Sequence, residues 1–121
     1  MEKEKQNQEC VFCKISKGEI PAEKILENDN FFIINDANPV VEGHCLVISK
    51  KHYKNIFNLP ADLGSELISL IKEQSLKLIK EGKAEGIKIV QNNGKSAGQS
   101  VQHVHFHIIP EKSGFKREKQ V

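Results

Sequence analysis

Three histidines near the C-terminal end of the chain, His103, His105 and His107, alternate with apolar residues. Side chains alternate between the two faces of a β-strand, so residues two apart share a face at roughly 6.6–7 Å. A lone histidine on a strand is most often an ordinary polar residue, but three in strict alternation make one face titratable along its length. The apolar residues expected on the opposite face, against the core, are Val104, Phe106 and Ile108.

Two kinds of chemistry use such a row of imidazoles. A His-x-His pair can chelate zinc and activate water, or one imidazole can attack an electrophile while its neighbours hold it in place. The preceding loop, residues 92–100, favours the second. It is rich in Gly, Asn, Gln and Ser, whose backbone N–H groups and side chains can cradle a phosphate. Alone, such a loop is typical of ordinary turns. Directly before the histidines, it predicts a phosphate site beside a nucleophile.

Two cysteines near the N-terminus, Cys10 and Cys13, have a spacing that suits either a metal or a redox pair. Redox chemistry of the thioredoxin kind needs a βαβ context that the predicted elements lack. A closed tetrahedral metal site needs two more ligands, and the candidates are His52 and His103. Cys45 falls in the middle of a predicted strand and is expected in the core.

These residues must be positioned by a sheet, because strand patterns dominate the chain. Residues 23–27 and 30–35 flank the turn dipeptide Asn28-Asp29 and predict a hairpin. Three further strands rich in β-branched residues are predicted at residues 44–50, 86–91 and 101–109.

One long helix is predicted between the third and fourth strands. Its apolar residues recur at helical spacing, Pro60 suits the first turn and Gly82 suits a C-terminal cap. The apolar residues are Leu63, Leu67, Leu70, Ile71 and Leu78. A shorter helical turn is expected from Val11 to Lys17. The fold class is therefore α+β, with a five-stranded, mostly antiparallel sheet, one long helix and a short N-terminal helix.

The composition fits one small folded domain. The chain has 121 residues, of which 38% are hydrophobic, enough for a core. We expect the domain to span residues 10–111, between polar tails at residues 1–9 and 112–121. A net charge of +2 is too balanced to indicate nucleic acid or a membrane as partner. The polar N-terminus and the lack of a long apolar run exclude a secretory signal and a membrane span, so we expect a cytoplasmic protein with reduced thiols.

Four segments occur in the order typical of one family. The run from Gly98 to Ile109 carries the alternating histidines after a Gly-Gln-Ser approach, and residues 12–21, 34–36 and 43–52 precede it. On these segments the chain resembles the histidine triad (HIT) family, in the branch typified by histidine triad nucleotide-binding proteins. The likeness runs from about Cys10 to Ile109, nearly the whole predicted domain.

The resemblance implies a covalent mechanism. His105 attacks the α-phosphorus of a nucleotide conjugate and forms a nucleotidyl-histidine intermediate that water resolves. His107 binds or protonates the leaving side, and His44 extends a hydrogen-bond relay to the triad. No cofactor is needed for this chemistry.

The resemblance also implies how the conjugate is bound. Ser100 and Gln99 hold phosphate oxygens or the leaving group, Asn92 contacts the phosphate and Asp36 accepts both ribose hydroxyls. The residues that wall the base are Phe12, Ile15, Ile20 and Leu46. From the residues alone, Asp36 could instead form only an Asx turn, and the apolar set could be plain core.

The same resemblance bears on the metal, the assembly and the substrate. Zinc-bearing relatives use two thiolates plus histidines at these positions, which implies a structural zinc on Cys10, Cys13, His52 and His103. A homodimer that joins two sheets is also implied. The substrate expected is a purine nucleoside phosphoramidate or an aminoacyl adenylate.

Three alternatives stay open. They are a dinucleoside polyphosphate hydrolase, a non-catalytic nucleotide- or zinc-binding interaction module, and a zinc hydrolase with the triad as ligands. Ile109-Pro110-Glu111 departs from the glycine-rich ending of many of the nucleotide-binding branch, which weakens the choice of substrate.

Overall fold

The structure of the protein is a computed structural model that describes residues 10–114. The expected N-terminal tail and residues 115–121 of the expected C-terminal tail lie outside the described residues. In chain order the elements are α1 (Val11–Ser16), β1 (Leu26–Glu27), β2 (Phe31–Asn35), β3 (Cys45–Ser49), a 3-10 turn (Ala61–Leu63), α2 (Gly64–Lys80), β4 (Gly86–Val90), a second 3-10 turn (Lys95–Ala97) and β5 (His105–Glu111). Neither helix within residues 10–114 is both long enough and apolar enough to cross a membrane.

The five strands form one antiparallel sheet in the order β1-β2-β3-β5-β4. The first three strands follow one another as predicted, whereas β5 inserts between β3 and β4. The histidine strand is therefore central to the sheet, with a hydrogen-bonded neighbour on each side. This arrangement confirms the predicted fold class.

One face of the sheet packs against α2. Val104, Phe106 and Ile108 point into this core, as the alternation predicts. They meet Leu67, Leu70 and Leu78 from α2, which are buried on one side of the helix. Cys45 is fully buried in the same cluster. Gly82 ends the helix with a φ of 76°, a backbone conformation that glycine adopts without a Cβ clash.

The opposite face of the sheet carries the histidines and is partly covered by α1. Cross-strand pairing aligns Ile48 with His105 and Leu46 with His107. Phe12 and Ile15 of α1 pack on the apolar part of this face. The sheet thus separates an apolar core on one side from a mixed apolar and titratable surface on the other.

The predicted limits of the last strand are wrong at both ends. Residues 101–103 form bends, and the Val104 N–H that follows them donates to the Tyr53 carbonyl at 2.7 Å before the ladder with β3 begins. At the other end β5 continues through Pro110 to Glu111. Pairing with β3 stops at Ile108, so the missing N–H of Pro110 costs the ladder no bond on that side.

Candidate active site and metal centre

His105 lies at the start of β5 with its ring orientation fixed by the backbone. Its Nδ1 atom is 2.8 Å from the His103 carbonyl oxygen, and the residue is 7% exposed. A carbonyl can only accept, so Nδ1 carries the proton and the lone pair is on Nε2. Phe12 packs edge-on against the ring with a centroid separation of 5.3 Å. The site therefore holds His105 in the tautomer that a nitrogen nucleophile requires.

His44 and His107 have tautomers that are set in the same way, one through the other. The Val40 N–H donates to His44 Nδ1 at 3.1 Å, which places the His44 proton on Nε2. That N–H lies 2.9 Å from His107 Nδ1. His107 Nδ1 must then accept, and its own proton is on Nε2. His105 and His107, which lie two residues apart on β5, are thus held in opposite tautomers. His105 has a lone pair on Nε2, and His107 has an N–H on Nε2.

Burial keeps His107 neutral in the absence of a ligand. It lowers the pKa of the His107 imidazole to about 4, and the neighbouring His105 and His44 act in the same direction. Asp36 opposes them, since its Oδ2 atom is 3.7 Å from His107 Nδ1.

Asp36 closes one end of this group of side chains. Its Oδ2 atom lies 3.2 Å from His44 Nε2, and its Oδ1 atom accepts from the Asn38 N–H at 2.8 Å. The Asx turn considered as an alternative is therefore present. Asp36 nevertheless lines the cavity in front of the histidines, so the turn does not remove its carboxylate from the site.

A cavity of about 800 Å³ opens over His105 and His107. Most of the residues assigned to catalysis or to substrate binding line it together. They are Phe12, Ile15, Asp36, His44, Leu46, Asn92, Ser100, His105 and His107. Ile34, Val11 and Val101 line it as well and were not anticipated. Ile34 could have been predicted from the sequence as a cavity residue, because it lies two residues before Asp36 and so points to the same side of the chain.

Two residues assigned to the site do not line this cavity. Ile20 is half-buried and packs against the apolar cluster beneath α1. Gln99 is 4% exposed. Its Nε2 donates to the Lys54 and Val101 carbonyls at 2.6 and 2.9 Å, and its Oε1 accepts from the Gly94 N–H at 2.8 Å. The Gln99 amide is occupied by the backbone, so it shapes the loop instead of offering a contact to phosphate.

A second group of four side chains lies around His103, the first histidine of the row. Cys10, Cys13, His52 and His103 place one donor atom each within 4.8 Å of one another. Cys10 Sγ is 3.1 Å from His103 Nδ1, and Cys13 Sγ is 3.2 Å from His52 Nδ1. Tetrahedral zinc with bonds of about 2.3 Å to sulfur and 2.0 Å to nitrogen sets an S···N separation of about 3.5 Å. The donor set fits such an ion.

The protons of the second group also suit a metal. His103 Nε2 lies 2.8 Å from the Ser49 carbonyl, so Nε2 carries the proton and the Nδ1 lone pair faces the cysteines. Burial lowers the pKa of His103 to about 4, which leaves the neutral imidazole that coordination needs. Burial, followed by the neighbouring Cys10, raises the pKa of the Cys13 thiol to about 12. A bound cation would reverse that penalty and stabilise the thiolate.

A third set of possible donors does not fit a metal. Asp36, His44 and His107 are close enough together, but the His44 lone pair is on Nδ1, where it accepts from the Val40 N–H. The nitrogen that faces Asp36 and His107 is therefore a donor to them and is not available to a cation.

The chain is similar to known proteins in both sequence and fold. Residues 17–114 match the HIT domain family. The chain is 42% identical over 107 residues to the adenosine 5'-monophosphoramidase HNT1 of Candida albicans, a match that covers 85% of this chain and 70% of that protein. It is 38% identical over 104 residues to the adenylylsulfatase HINT3 of Arabidopsis thaliana, covering 86% of this chain and 53% of that protein.

A solved structure adds an observation on the metal. The crystal structure of a Zn-bound histidine triad family protein from Mycobacterium smegmatis superposes with a TM-score of 0.84 at 34% sequence identity. The match covers 91% of this chain and 80% of that one.

Proposed function

Since the chain belongs to the HIT domain family, we propose that it is a nucleotide hydrolase or transferase that acts through a nucleotidyl-histidine intermediate on His105. The substrate class we propose is a purine nucleoside phosphoramidate or an aminoacyl adenylate. The phosphoramidase and adenylylsulfatase names of two relatives support an activity on adenosine phosphate conjugates.

One observation carries the proposal. The hydrogen bond from His105 Nδ1 to the His103 carbonyl leaves the free lone pair on Nε2, in a cavity that is also lined by Asp36 and by Asn92 and Ser100 of the 92–100 loop. A zinc-bound triad would need these nitrogens for the metal, whereas here the four donors that fit zinc include only the first of the three histidines.

In the first step, the His105 Nε2 lone pair forms a bond to the α-phosphorus as the bond from phosphorus to the leaving atom breaks. The leaving atom keeps the electron pair of that bond, and a leaving amine takes a proton from water. The His107 Nε2–H donates a hydrogen bond to the charge that develops there or on a phosphate oxygen.

In the second step, water resolves the intermediate. The hydroxide that remains after protonation of the leaving amine attacks the phosphorus, and the bond to Nε2 breaks with its electron pair returning to His105. The products are the nucleoside monophosphate and the free amine, and the enzyme returns to its starting tautomer. With an aminoacyl adenylate the carboxylate leaves without a proton, so neutral water attacks the phosphorus and releases one proton to solvent. An acceptor other than water would make the same step a transfer.

Binding energy comes from the rest of the cavity. We propose that Asp36 accepts ribose hydroxyl hydrogens and that Asn92 and Ser100 contact the phosphate, since all three line the cavity. Phe12, Ile15 and Leu46 offer an apolar wall for the base. Because these contacts exist before the reaction, they serve affinity, while His105 serves the chemical step.

A structural zinc ion is the second part of the proposal. Cys10, Cys13, His52 and His103 would hold it, joining the N-terminal segment to the segments around β3 and β5. When bound, zinc would supply cross-linking of the fold rather than activation of water, because four protein ligands leave no open position.

The fold and the thiols support a proposal for the assembly and the compartment. We propose a homodimer because β4 is an edge strand of this chain and Ile89 on it is 44% exposed. Three apolar side chains of α2, Ile68, Leu76 and Ile79, are also exposed. We place the activity in the cytoplasm, where Cys10 and Cys13 would stay reduced for zinc.

The test is to trap the intermediate. Adenosine 5'-phosphoramidate labelled at phosphorus is mixed with the full chain and quenched in base, which preserves a phosphorus–nitrogen bond to histidine. Label on a peptide that contains His105, discharged by brief acid, is the expected result, and the His105→Asn variant should carry none. Turnover without label on wild-type protein during the pre-steady state would reject the covalent route.

A further inference from the structure

A second cavity lies beside the reaction cavity, and we propose that it is the subsite for the leaving group, where Lys54 favours an anionic oxoacid group such as sulfate or phosphate. This inference rests on the function proposed above, since it concerns the far side of the same scissile bond.

The two cavities share part of their lining. The second has a volume of about 450 Å³. Ser100 and Val101 line both cavities, as does Val11 of α1. Ser100 is exposed and stands immediately before the bends that lead to His105. A substrate whose α-phosphorus lies at His105 can therefore extend past Ser100 into the second cavity.

The carboxylate and the lysine of the two cavities line different cavities. Cys10 and His52 also line the second cavity, and as ligands of the proposed zinc they would form an overall neutral group with the ion and its other two ligands. Among the described residues that line them, Asp36 is the only carboxylate and Lys54 the only lysine or arginine. Asp36 lines the reaction cavity alone, and Lys54 the second cavity alone. A bound conjugate would thus have its hydroxyl-bearing sugar in the cavity with Asp36 and its leaving group in the cavity with Lys54.

The main chain of Lys54 is tied to the loop that precedes the histidines. The buried Gln99 side chain donates to the Lys54 carbonyl at 2.6 Å and to the Val101 carbonyl at 2.9 Å. The same amide accepts from the Gly94 N–H. These bonds fix the Lys54 backbone relative to Ser100 and Val101, so the lysine is presented from a defined position although its side chain is exposed.

This charge distribution discriminates between leaving groups. A sulfate or phosphate leaving group would meet an opposite charge in the second cavity, whereas the neutral ammonia that leaves from a simple phosphoramidate would gain no such attraction. With adenosine 5'-phosphosulfate, His105 Nε2 bonds to phosphorus and the bridging P–O bond breaks with its electron pair on a sulfate oxygen. Sulfate needs no proton at neutral pH. Water then attacks the nucleotidyl-histidine, and one proton is released to solvent with the monophosphate.

The test compares two substrates that share the adenylate. The kcat/KM for adenosine 5'-phosphosulfate is divided by that for adenosine 5'-phosphoramidate, in wild type and in Lys54→Ala. We expect this ratio to fall about three- to tenfold, a modest effect because Lys54 is solvent-exposed and screened. Lys54→Arg should restore the ratio. Lys51→Ala removes an exposed lysine that lines neither cavity and should leave it unchanged.

Two results would overturn the subsite. One is an unaltered ratio in Lys54→Ala, and the other is an equal fall in Lys51→Ala, which would indicate general surface charge. If wild type turns over neither substrate, the proposed function fails. The subsite is then tested alone by calorimetry with AMP and ADP, whose β-phosphate occupies the leaving-group position. Lys54→Ala should reduce the preference for ADP over AMP about three- to tenfold, and an unchanged preference would reject the subsite.

Discussion

The Nε2 atom of His44 lies 2.9 Å from the Nδ1 atom of His107, and this contact decides which nitrogen of His107 faces the cavity with a proton. The Val40 N–H sets the direction of this hydrogen bond, because it donates to His44 Nδ1 and so leaves the His44 proton on Nε2. His44 is 3% exposed, so water cannot readily replace either partner. His44 is accordingly a positioning residue: it acts through His107.

Replacing His44 with leucine should lower kcat at least tenfold with a smaller change in KM, because His107 would no longer be held as an Nε2–H donor. His44→Gln can still donate from its amide and should recover part of the loss. Steady-state kinetics with adenosine 5'-phosphoramidate measures both variants. The ¹⁵N shifts of His107 should report a tautomer change in the leucine variant. Normal shifts with reduced kcat would mean that His44 acts by another route.

His105→Ala should abolish turnover while nucleotide binding stays nearly intact. The variant loses the atom that attacks phosphorus, with an expected loss in kcat of at least about a thousandfold. Affinity for AMP, measured by calorimetry, should stay within about threefold of wild type because Asp36, the loop and the apolar wall remain. Residual activity within tenfold of wild type would remove His105 as the nucleophile.

Asp36→Asn should weaken ribonucleotides more than deoxyribonucleotides. The amide keeps one acceptor for the Asn38 N–H, so the Asx turn is preserved, but one charged acceptor for a hydroxyl is lost. The expected cost is roughly 1–3 kcal/mol per charged hydrogen bond. AMP, 2'-deoxy-AMP and 3'-deoxy-AMP are compared by calorimetry. Equal weakening of all three would show that Asp36 does not hold the ribose.

Much of this site could be predicted because it depends on strand periodicity. Alternation alone gave the shared face of His105 and His107, and Val104, Phe106 and Ile108 in the core. Family resemblance then placed Asp36 and Ser100 near them, on segments far apart in sequence. A local pattern thus constrains the direction of the strand side chains, whereas the roles given to Asp36 and Ser100 rest on the resemblance and stay predictions.

The rest depends on contacts between distant segments, which no local pattern encodes. Gln99 looks like a phosphate ligand in sequence, yet its amide bonds to the Lys54 and Gly94 backbones. After the bends at residues 101–103, the Val104 N–H donates to the Tyr53 carbonyl. Strand β5 continues through Pro110 because its pairing with β3 has already stopped at Ile108. Each of these requires the tertiary neighbour to be known.

The buried imidazole of His107 should lower the free energy of unfolding at acidic pH. Its pKa in the fold is about 4 against an ordinary value of 6.5, since burial, His105 and His44 outweigh Asp36. Below pH 6.5 the unfolded chain binds a proton that the folded chain does not, so the free energy of unfolding decreases as pH falls from 6.5 to 4 and then levels off. The contribution is at most about 3.5 kcal/mol.

His107→Gln supplies the matched control for that pH dependence. Glutamine does not titrate, whereas His103 and the cysteines are the same in both proteins. Urea unfolding between pH 4 and 7.5 should show a steeper loss for wild type than for the variant. Parallel curves would mean that His107 is protonated as easily in the fold as in the unfolded chain.

Zinc removal should cost stability before it costs activity. Metal analysis is expected to give about one zinc per chain, bound through Cys10, Cys13, His52 and His103. Cys13→Ser should lose the metal and lower the melting temperature, because the N-terminal segment is no longer tied to the sheet, yet turnover should persist at low temperature where the protein stays folded. Cys45→Ala, in the core and away from the four donors, should keep its zinc.

If His105 were a zinc ligand instead, chelation would end turnover at temperatures where circular dichroism still reports a folded chain. Zinc-free protein with a wild-type melting temperature would show that these cysteines are ordinary thiols.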